Sequence, residues 1–229
     1  MSSFVSIAID GPAGAGKSTM ARAVANDLGY VYVDTGAIYR TVGYFIRICG
    51  ISPKDIDGVT RLLDEISLEI RYAEDGLQHM ILNGKDVTGE IRTPEMSDYA
   101  SKLSALPVVR SFLLDVQRDM AKQHNVVMDG RDIGTVVLPN ANVKIYLTAS
   151  PEVRANRRFL ELQGKGDKKS TYESVLSDIR QRDERDMNRT IAPLKPAEDS
   201  VLLDTSLLSI EESIDAMKRI VGERLANDL

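Results

Sequence analysis

The sequence predicts an α/β fold, a parallel sheet with helices packed on its faces. Three observations predict it. Short apolar runs alternate with segments whose apolar residues recur at helical spacing, the order that βαβ units require. Three of those runs end in Asp10-Gly11, Asp34-Thr35-Gly36 and Asp129-Gly130-Arg131, polar clusters suited to the carboxyl ends of parallel strands, where ligands bind. The 229 residues, 43% of them hydrophobic, suffice for one sizeable core, or one core with small appended lobes.

The elements follow in order. FVSIAID (4–10) is a short apolar run stopped by Gly11 and Pro12, a buried strand. KSTMARAVANDL (17–28) carries Met20, Ala23, Val24 and Leu28 at helical spacing, and Gly29 ends it. YVYVD (30–34) is the next strand. Residues 36–50 are helical, with Thr35 a good N-cap and Gly50 a C-terminal cap. Pro53 and Asp55 open a helix over 53–66. From 67 to 93 the period changes: SLEIRY and QHMILNG alternate, and EDG and NGK signal turns, so a small antiparallel sheet is inserted. Residues 94–106 and 107–123 are helices, the second started by Pro107. NVVMD (125–129) and VKIYLTA (143–149) are strands. Residues 151–166 and 172–189 are helices, the latter highly charged, joined by QGKGDKKS (163–170). SVLLDTS (200–206) is a fifth strand. A last amphipathic helix over 209–225 is capped by Ser209, with Ile210, Ile214, Met217, Val221 and Leu225 on one face.

Bulk chemistry excludes several roles. The net charge of −5 argues against a general nucleic-acid binder, while leaving room for a local cluster of arginines facing an anion. The one cysteine, Cys49, can form no intramolecular disulfide and is expected to pack as a small hydrophobe, as suits a reducing compartment. The N-terminal stretch has no basic leader, and no apolar run approaches the ~18 residues of a membrane span. The expectation is a soluble cytoplasmic protein with no membrane and no nucleic-acid partner. No long apolar helix seam is evident, which points to a monomer. His79 and His124 lack partners at metal-ligand spacing, so no zinc site is expected.

GPAGAGKS (11–18) fits G-x-x-x-x-G-K-[ST], between a strand and a helix as that motif requires. Backbone N–H groups of Gly11, Pro12's successors Ala13, Gly14, Ala15 and Gly16, and of Lys17, Ser18 and Thr19 are candidates to cradle the phosphates of ATP, helped by the positive end of the helix. Lys17 can reach the β- and γ-phosphates and Ser18 can ligate Mg²⁺. The motif indicates a nucleoside triphosphate without indicating its use.

A second site is suggested by arginine. Arg40 follows the capped start of a helix, which is also what an ordinary capped helix with a solvated arginine would show. Arg182, Arg185, Asp186 and Arg189 recur at i, i+3, i+4 and i+7, on one helix face. A self-paired solvated face is the plain alternative, but the acids on it are too few to neutralise the arginines, and Arg suits forked phosphate recognition. RANRR (154–158) repeats the theme before the Gly-Lys loop, as a closing lid would need. Arg154, Arg157 and Arg158 are therefore candidates for holding ATP and neutralising charge. Two anionic substrates held head to head would account for all of this.

IDGPAGAGKST (9–19), DTGAIYR (34–40), GEIRT (89–93), DGRDIGT (129–135), RDERDMNR (182–189) and APLKPA (192–197) together resemble the bacterial cytidylate kinases, in order and over nearly the whole chain. The resemblance implies a P-loop NTPase core with a five-stranded parallel sheet: core at 1–35, 107–150 and 191–229, a monophosphate-binding lobe at 36–106 with the β insert of the long form at 67–93, and a lid region at 151–190. It implies γ-phosphoryl transfer from ATP to CMP or dCMP with Mg²⁺, giving ADP and CDP or dCDP. By motif position it implies that Thr35, Arg40, Ser101, Arg110, Arg131, Asp132, Arg182, Asp186 and Arg189 bind the acceptor. Thr35 stands where a serine is also familiar, and the hydroxyl is kept. With elementary chemistry added, Asp129 would order Mg²⁺ or its water and Arg131 would bridge the acceptor phosphate and the moving phosphoryl. Asp132 would accept from the cytosine amino group, while Lys17, Arg131 and Arg158 stabilise the spread charge. The rivals are a P-loop kinase for another nucleotide or for a metabolite such as shikimate, and a nucleotide-hydrolysing switch. No N-K-x-D motif or recognisable switch glutamine supports the latter.

Overall fold

Apolar runs make the central sheet, and its inner strands are buried on both faces. Residues 4–74 and 76–227 are described in the computed structural model of the chain. Strands β1 (Ser6–Asp10), β2 (Val31–Asp34), β6 (Val126–Gly130), β7 (Val143–Thr148) and β8 (Val201–Asp204) form one parallel sheet in the order β2-β6-β1-β7-β8. On β1, Ile7 and Ile9 face one core while Ala8 faces the other. That two-sided burial explains why these strands read as continuous rather than alternating apolar runs.

Helices α1 (Lys17–Leu28) and α8 (Ile210–Asn227) cover one face, with Met20, Val24, Met217 and Val221 buried there. Helices α2 (Thr35–Ile48), α3 (Ile56–Leu63), α4 (Pro94–Leu103) and α5 (Pro107–Gln123) gather around the other, on Ile38, Val42, Ile46, Leu103 and Leu113. The inserted residues form an antiparallel sheet of β3 (Leu68–Tyr72), β4 (Gln78–Leu82) and β5 (Lys85–Asp86). Helices α6 (Pro151–Gly164) and α7 (Tyr172–Met187) pack on each other through a small separate cluster of Ala155, Val175 and Ile179. Among the described residues no helix is long and apolar enough to cross a membrane.

Several expectations are corrected at the ends of elements. Asp55 takes the N–H of Gly58 at 2.9 Å, so α3 starts after it and Pro53 stands outside the helix. Thr35 is not the cap of α2. Asp34 is, accepting from Ala37 N at 2.8 Å, which frees the Thr35 hydroxyl for another bond. Cys49 is exposed, not packed as a small hydrophobe. Its spacing from Ile46 suits the buried face, but α2 has run past the core by then, and neighbouring Ile48 is 53% exposed. Of the EDG turn at 74–76, Asp75 lies outside the described residues, as do Met1–Ser3 of the N-terminal stretch read for a leader. The two-residue β5 was not anticipated, nor was a π-helical turn at Ile133–Val137 after β6.

Candidate active site

The motif at 11–18 folds as a loop from β1 into α1. Gly11 has φ 151°, and a Cβ there would stand 1.9 Å from the carbonyl oxygen of Leu147, so no larger residue lets the loop start this close to β7. Gly16, at φ 90°, precedes α1 and provides no side-chain cap, and no acid occupies the first turn. The first N–H groups of α1 are thus left for an anion. Lys17 is buried and donates to Pro12 O at 2.8 Å. Burial, then the charge of Arg131, holds its pKa well below the usual lysine range. Gly14, Gly16, Lys17, Ser18, Thr19 and the edge of Ala13 face a cleft of about 780 Å³. Gly11, Pro12 and Ala15 are buried behind them.

At the foot of the cleft Asp129 ends its run beside β1. Its Oδ2 accepts from Ser18 Oγ at 3.1 Å and its Oδ1 from Tyr32 Oη at 2.8 Å. Burial, then the charge of Asp34, pushes the Asp129 pKa up to about 6. A buried carboxylate held beside a hydroxyl is a hard-oxygen pair of the type Mg²⁺ prefers. A cation there would offset the cost of keeping Asp129 ionised. Asp10, at the end of β1, accepts from Ile133 N and Gly134 N, each at 2.7 Å. It thereby satisfies the leading N–H groups of the π-helical turn and ties the loop bearing Arg131 and Asp132 to the phosphate loop.

The other half of the cleft collects the residues implied for an acceptor. Thr35, Arg40, Ser101, Arg110, Arg131, Asp132, Arg182, Asp186 and Arg189 all line it. Thr35 Oγ1 donates to Asp129 O at 2.7 Å, and Arg40 Nη2 to Asp34 Oδ2 at 2.9 Å. Arg110 is ion-paired with Asp132, whose pKa burial raises against the pull of Arg110 and Arg189. Arg131 Nε donates to Asp186 Oδ2 at 3.1 Å. Arg189 reaches Ser104 Oγ at 2.9 Å, and Arg110 the Ser104 carbonyl at 3.3 Å. Burial, then the nearby charge of Arg131, pushes the Arg182 pKa down to about 10. Among the described residues, Arg40 Nε, Ser101 Oγ, Arg182 Nε and Arg189 Nε are buried with no hydrogen-bond partner. Unspent donors held around one space, in a chain of net charge −5, are a built demand for an anion.

Two basic residues depart from expectation. Arg154 does not face the cleft. It is 3% exposed, and its guanidinium is spent on Ala149 O, Ala13 O at 3.0 Å and Asp183 at 2.6 Å. It braces the back of the phosphate loop against α7, because its Cα lies over the loop, not beside the opening. Arg185 lies at the edge of the stripe it shares with Arg182 and pairs with Asp98 at 3.2 Å on the rim. Arg157 and Arg158 do line the cleft. Arg157 donates to Thr205 O at 2.9 Å and Arg158 to Glu161 at 2.7 Å.

Three contributors are not legible in the sequence. Tyr32 reads as one more apolar strand residue. Ser104 sits in an undistinctive stretch. Asp10 reads only as a strand end, and its one signal is that of a carboxylate closing a buried strand.

The family model described as cytidylate kinase matches residues 7–223. A cytidylate kinase of Caldicellulosiruptor bescii is 47% identical, the match covering 98% of this chain and 99% of the relative. One of Carboxydothermus hydrogenoformans is 50% identical, over 95% of this chain and 97% of the relative. Among solved structures, an uncharacterized protein from Eubacterium ventriosum has a TM-score of 0.52 at 14% identity, covering 96% of this chain and 98% of that one, a likeness of fold alone.

Proposed function

The chain belongs to the cytidylate kinase family, and from that premise we propose that its cleft transfers the γ-phosphoryl group of ATP to CMP or dCMP, yielding ADP and CDP or dCDP. One observation carries the assignment of the two halves. A phosphate-cradling loop at one end faces a set of buried, unspent arginine donors at the other.

ATP lies with its phosphates on the loop from Gly11 to Thr19. The acceptor phosphate lies among Arg40, Arg131 and Arg182, and its ribose and base lie toward Asp186, Arg189, Ser101, Arg110 and Asp132. An acceptor phosphate oxygen forms a bond to the γ-phosphorus as the bond from that phosphorus to the β-bridging oxygen breaks, and the electron pair leaves with ADP. No general base is required, since a phosphate monoester with a second pKa of about 6 is mostly dianionic at neutral pH. What the chain provides is alignment and charge stabilisation. Lys17 leaves the carbonyl of Pro12 for the phosphates, and Arg131, between the two substrates, follows the moving charge. Arg158 and Arg157 approach as α6 and α7 close, which keeps water from the phosphoryl group. Ser18 and Asp129 are the residues that would hold Mg²⁺, whose part is to neutralise charge on the β- and γ-oxygens.

Asp132 and Ser101 read the base edge. A carboxylate accepts from cytosine N4 and opposes the O4 of uracil. The residue ranges follow the same division: an acceptor lobe at 36–106, a lid at 151–190 and the core elsewhere.

The test is a coupled ADP-release assay with Mg-ATP against AMP, GMP, UMP, CMP, dCMP and dTMP, with a blank lacking acceptor. Turnover strongest with CMP and dCMP and near zero in the blank is expected. Turnover in the blank would indicate a hydrolysing switch, and turnover with none of the six would return the second half-site to an unknown acceptor.

A further inference from the structure

The inserted antiparallel sheet has no residue in the cleft, yet one of its rungs grips the strand that leads into the acceptor site. Strand β2 is at the edge of the main sheet. Val31 N bonds inward to Asn125 O at 2.9 Å, so the backbone groups of Tyr32 and Asp34 point outward. An edge strand leaves such groups without a neighbouring strand. Here side chains of the insert take them up. Tyr72 Oη donates to Tyr32 O at 2.9 Å. Gln78 Oε1 accepts from Asp34 N at 2.8 Å, and Gln78 Nε2 donates to Asp34 O at 3.3 Å. Tyr72 and Gln78 are cross-strand partners, and Gln78 is only 5% exposed. The Gln78 amide stands where a peptide of a sixth strand would stand.

The residue it grips has a second task. The Asp34 carboxylate caps α2 through Ala37 N and holds Arg40 Nη2 at 2.9 Å. Arg40 faces the acceptor half of the cleft with its Nε unspent. A continuous path runs from Gln78 to the Asp34 backbone, through its carboxylate, to Arg40.

We propose that Gln78 is a positioning residue for the acceptor: by fixing both backbone groups of Asp34, the insert aims Arg40 at the acceptor phosphate. This rests on the assignment of that half of the cleft to CMP. Without the clip, Asp34 is free to turn outward to water, and Arg40 follows it. The phosphate loop shares no hydrogen bond with this path and meets it only through the charge of Asp34 on Asp129, so ATP binding is expected to respond much less than CMP binding.

The experiment is calorimetric titration of the full chain with CMP and, separately, with ATP. The variants are Gln78→Ala, Gln78→Glu, Arg40→Ala and the Gln78→Ala/Arg40→Ala pair. The Gln78→Glu variant keeps the shape and the acceptor for Asp34 N but sets a buried carboxylate against Asp34 O, and the melting temperature and binding stoichiometry, read for every variant, separate a folding failure from a loss of affinity. Loss of hydrogen bonds worth about 1.5 kcal/mol corresponds to about tenfold in affinity, so Gln78→Ala is expected to raise the Kd for CMP about tenfold and Gln78→Glu at least as much, with the Kd for ATP changing by less than about twofold. In the Arg40→Ala background the same substitution is expected to change the CMP Kd by less than about twofold, because the path then leads nowhere. A merely structural role would lower the melting temperature and the binding stoichiometry while leaving the CMP Kd alone. That result, or a tenfold effect that adds in full to Arg40→Ala, overturns the proposal. An unsubstituted chain that binds ATP and not CMP refutes the acceptor assignment first, and the role of Gln78 with it.

Discussion

Asp132→Asn is the substitution that asks most of the proposed acceptor site. Asp132 is 5% exposed and ion-paired with Arg110. The change alters one atom of the carboxyl group and nothing in its size. An asparagine can turn its carbonyl to the amino group of cytosine or its NH₂ to O4 of uracil, so it reads both bases where the carboxylate reads one. Discrimination by such a contact is worth about 1–3 kcal/mol, so the ratio of kcat/KM for CMP over UMP is expected to fall by roughly 5- to 150-fold. A second effect comes from Arg110, which loses its counter-charge. Breaking a fully buried pair costs about 3–5 kcal/mol. This pair opens on the cleft and Asn keeps an oxygen toward Arg110, so a loss of about 2 kcal/mol, or roughly 4–8 °C in Tm, is the appropriate scale. The assay is the coupled ADP-release measurement with CMP and UMP on one preparation. The ratio then cancels any change in the folded fraction. A melting temperature that falls while the CMP/UMP ratio stays within about twofold would falsify the base-reading role and leave Asp132 a partner of Arg110 only.

Three further outcomes are expected. Tyr32→Phe removes the hydroxyl that holds Asp129 Oδ1; a hydrogen bond to a charged group is worth about 1.5–3 kcal/mol, so half-maximal rate should need about tenfold more Mg²⁺, and an unchanged Mg²⁺ titration would separate Tyr32 from the site. Asp10 has its folded pKa raised to about 6, chiefly by burial, so its contribution to stability is fully present below its unfolded pKa and is lost as pH rises through about 6. Denaturant titrations of Asp10→Asn, which cannot ionise, should therefore show it gaining about 2 kcal/mol on the unsubstituted chain between about pH 4 and pH 7, and a pH-independent difference would contradict the shift. Arg154→Ala breaks the buried link to Asp183 and Ala13 O and should cost about 3–5 kcal/mol, whereas Arg158→Ala, whose pair with Glu161 is partly solvated, should cost less than about 1 kcal/mol; equal losses in thermal melts would show that burial does not separate the two.

Much of the molecule is legible in local pattern. The strand-loop-helix context of residues 11–18 forces the phosphate loop, since glycine at Gly11 and Gly16 and a helix start without an acid leave few other outcomes. The five apolar runs become the five strands, and of the inserted segment at 67–93 the part from Leu68 to Asp86 becomes the antiparallel sheet. The pairing of Arg182 with Asp186 on one face follows from the helical period, whereas Arg189, expected on the same helix, lies past the end of α7 at Met187 and reaches the cleft from the segment that follows.

What stayed hidden depends on contacts across long separations in the chain. Cys49 has the spacing of a core residue, yet only the extent of the packed lobe decides that it is exposed. Arg154 and Arg157 are near neighbours on one helix, but one is buried behind the phosphate loop and the other opens on the cleft. Tyr32 meets Asp129 and Gln78 meets Asp34 because parallel pairing and an inserted sheet bring them together. The sequence by itself determined the elements, the phosphate loop and the supply of charged groups, since these follow from backbone propensities and periodicities that act over a few residues. Only the tertiary structure decided which arginine is spent on the protein and which is left for a ligand, because burial and hydrogen-bond partners are set by neighbours that the chain order does not reveal.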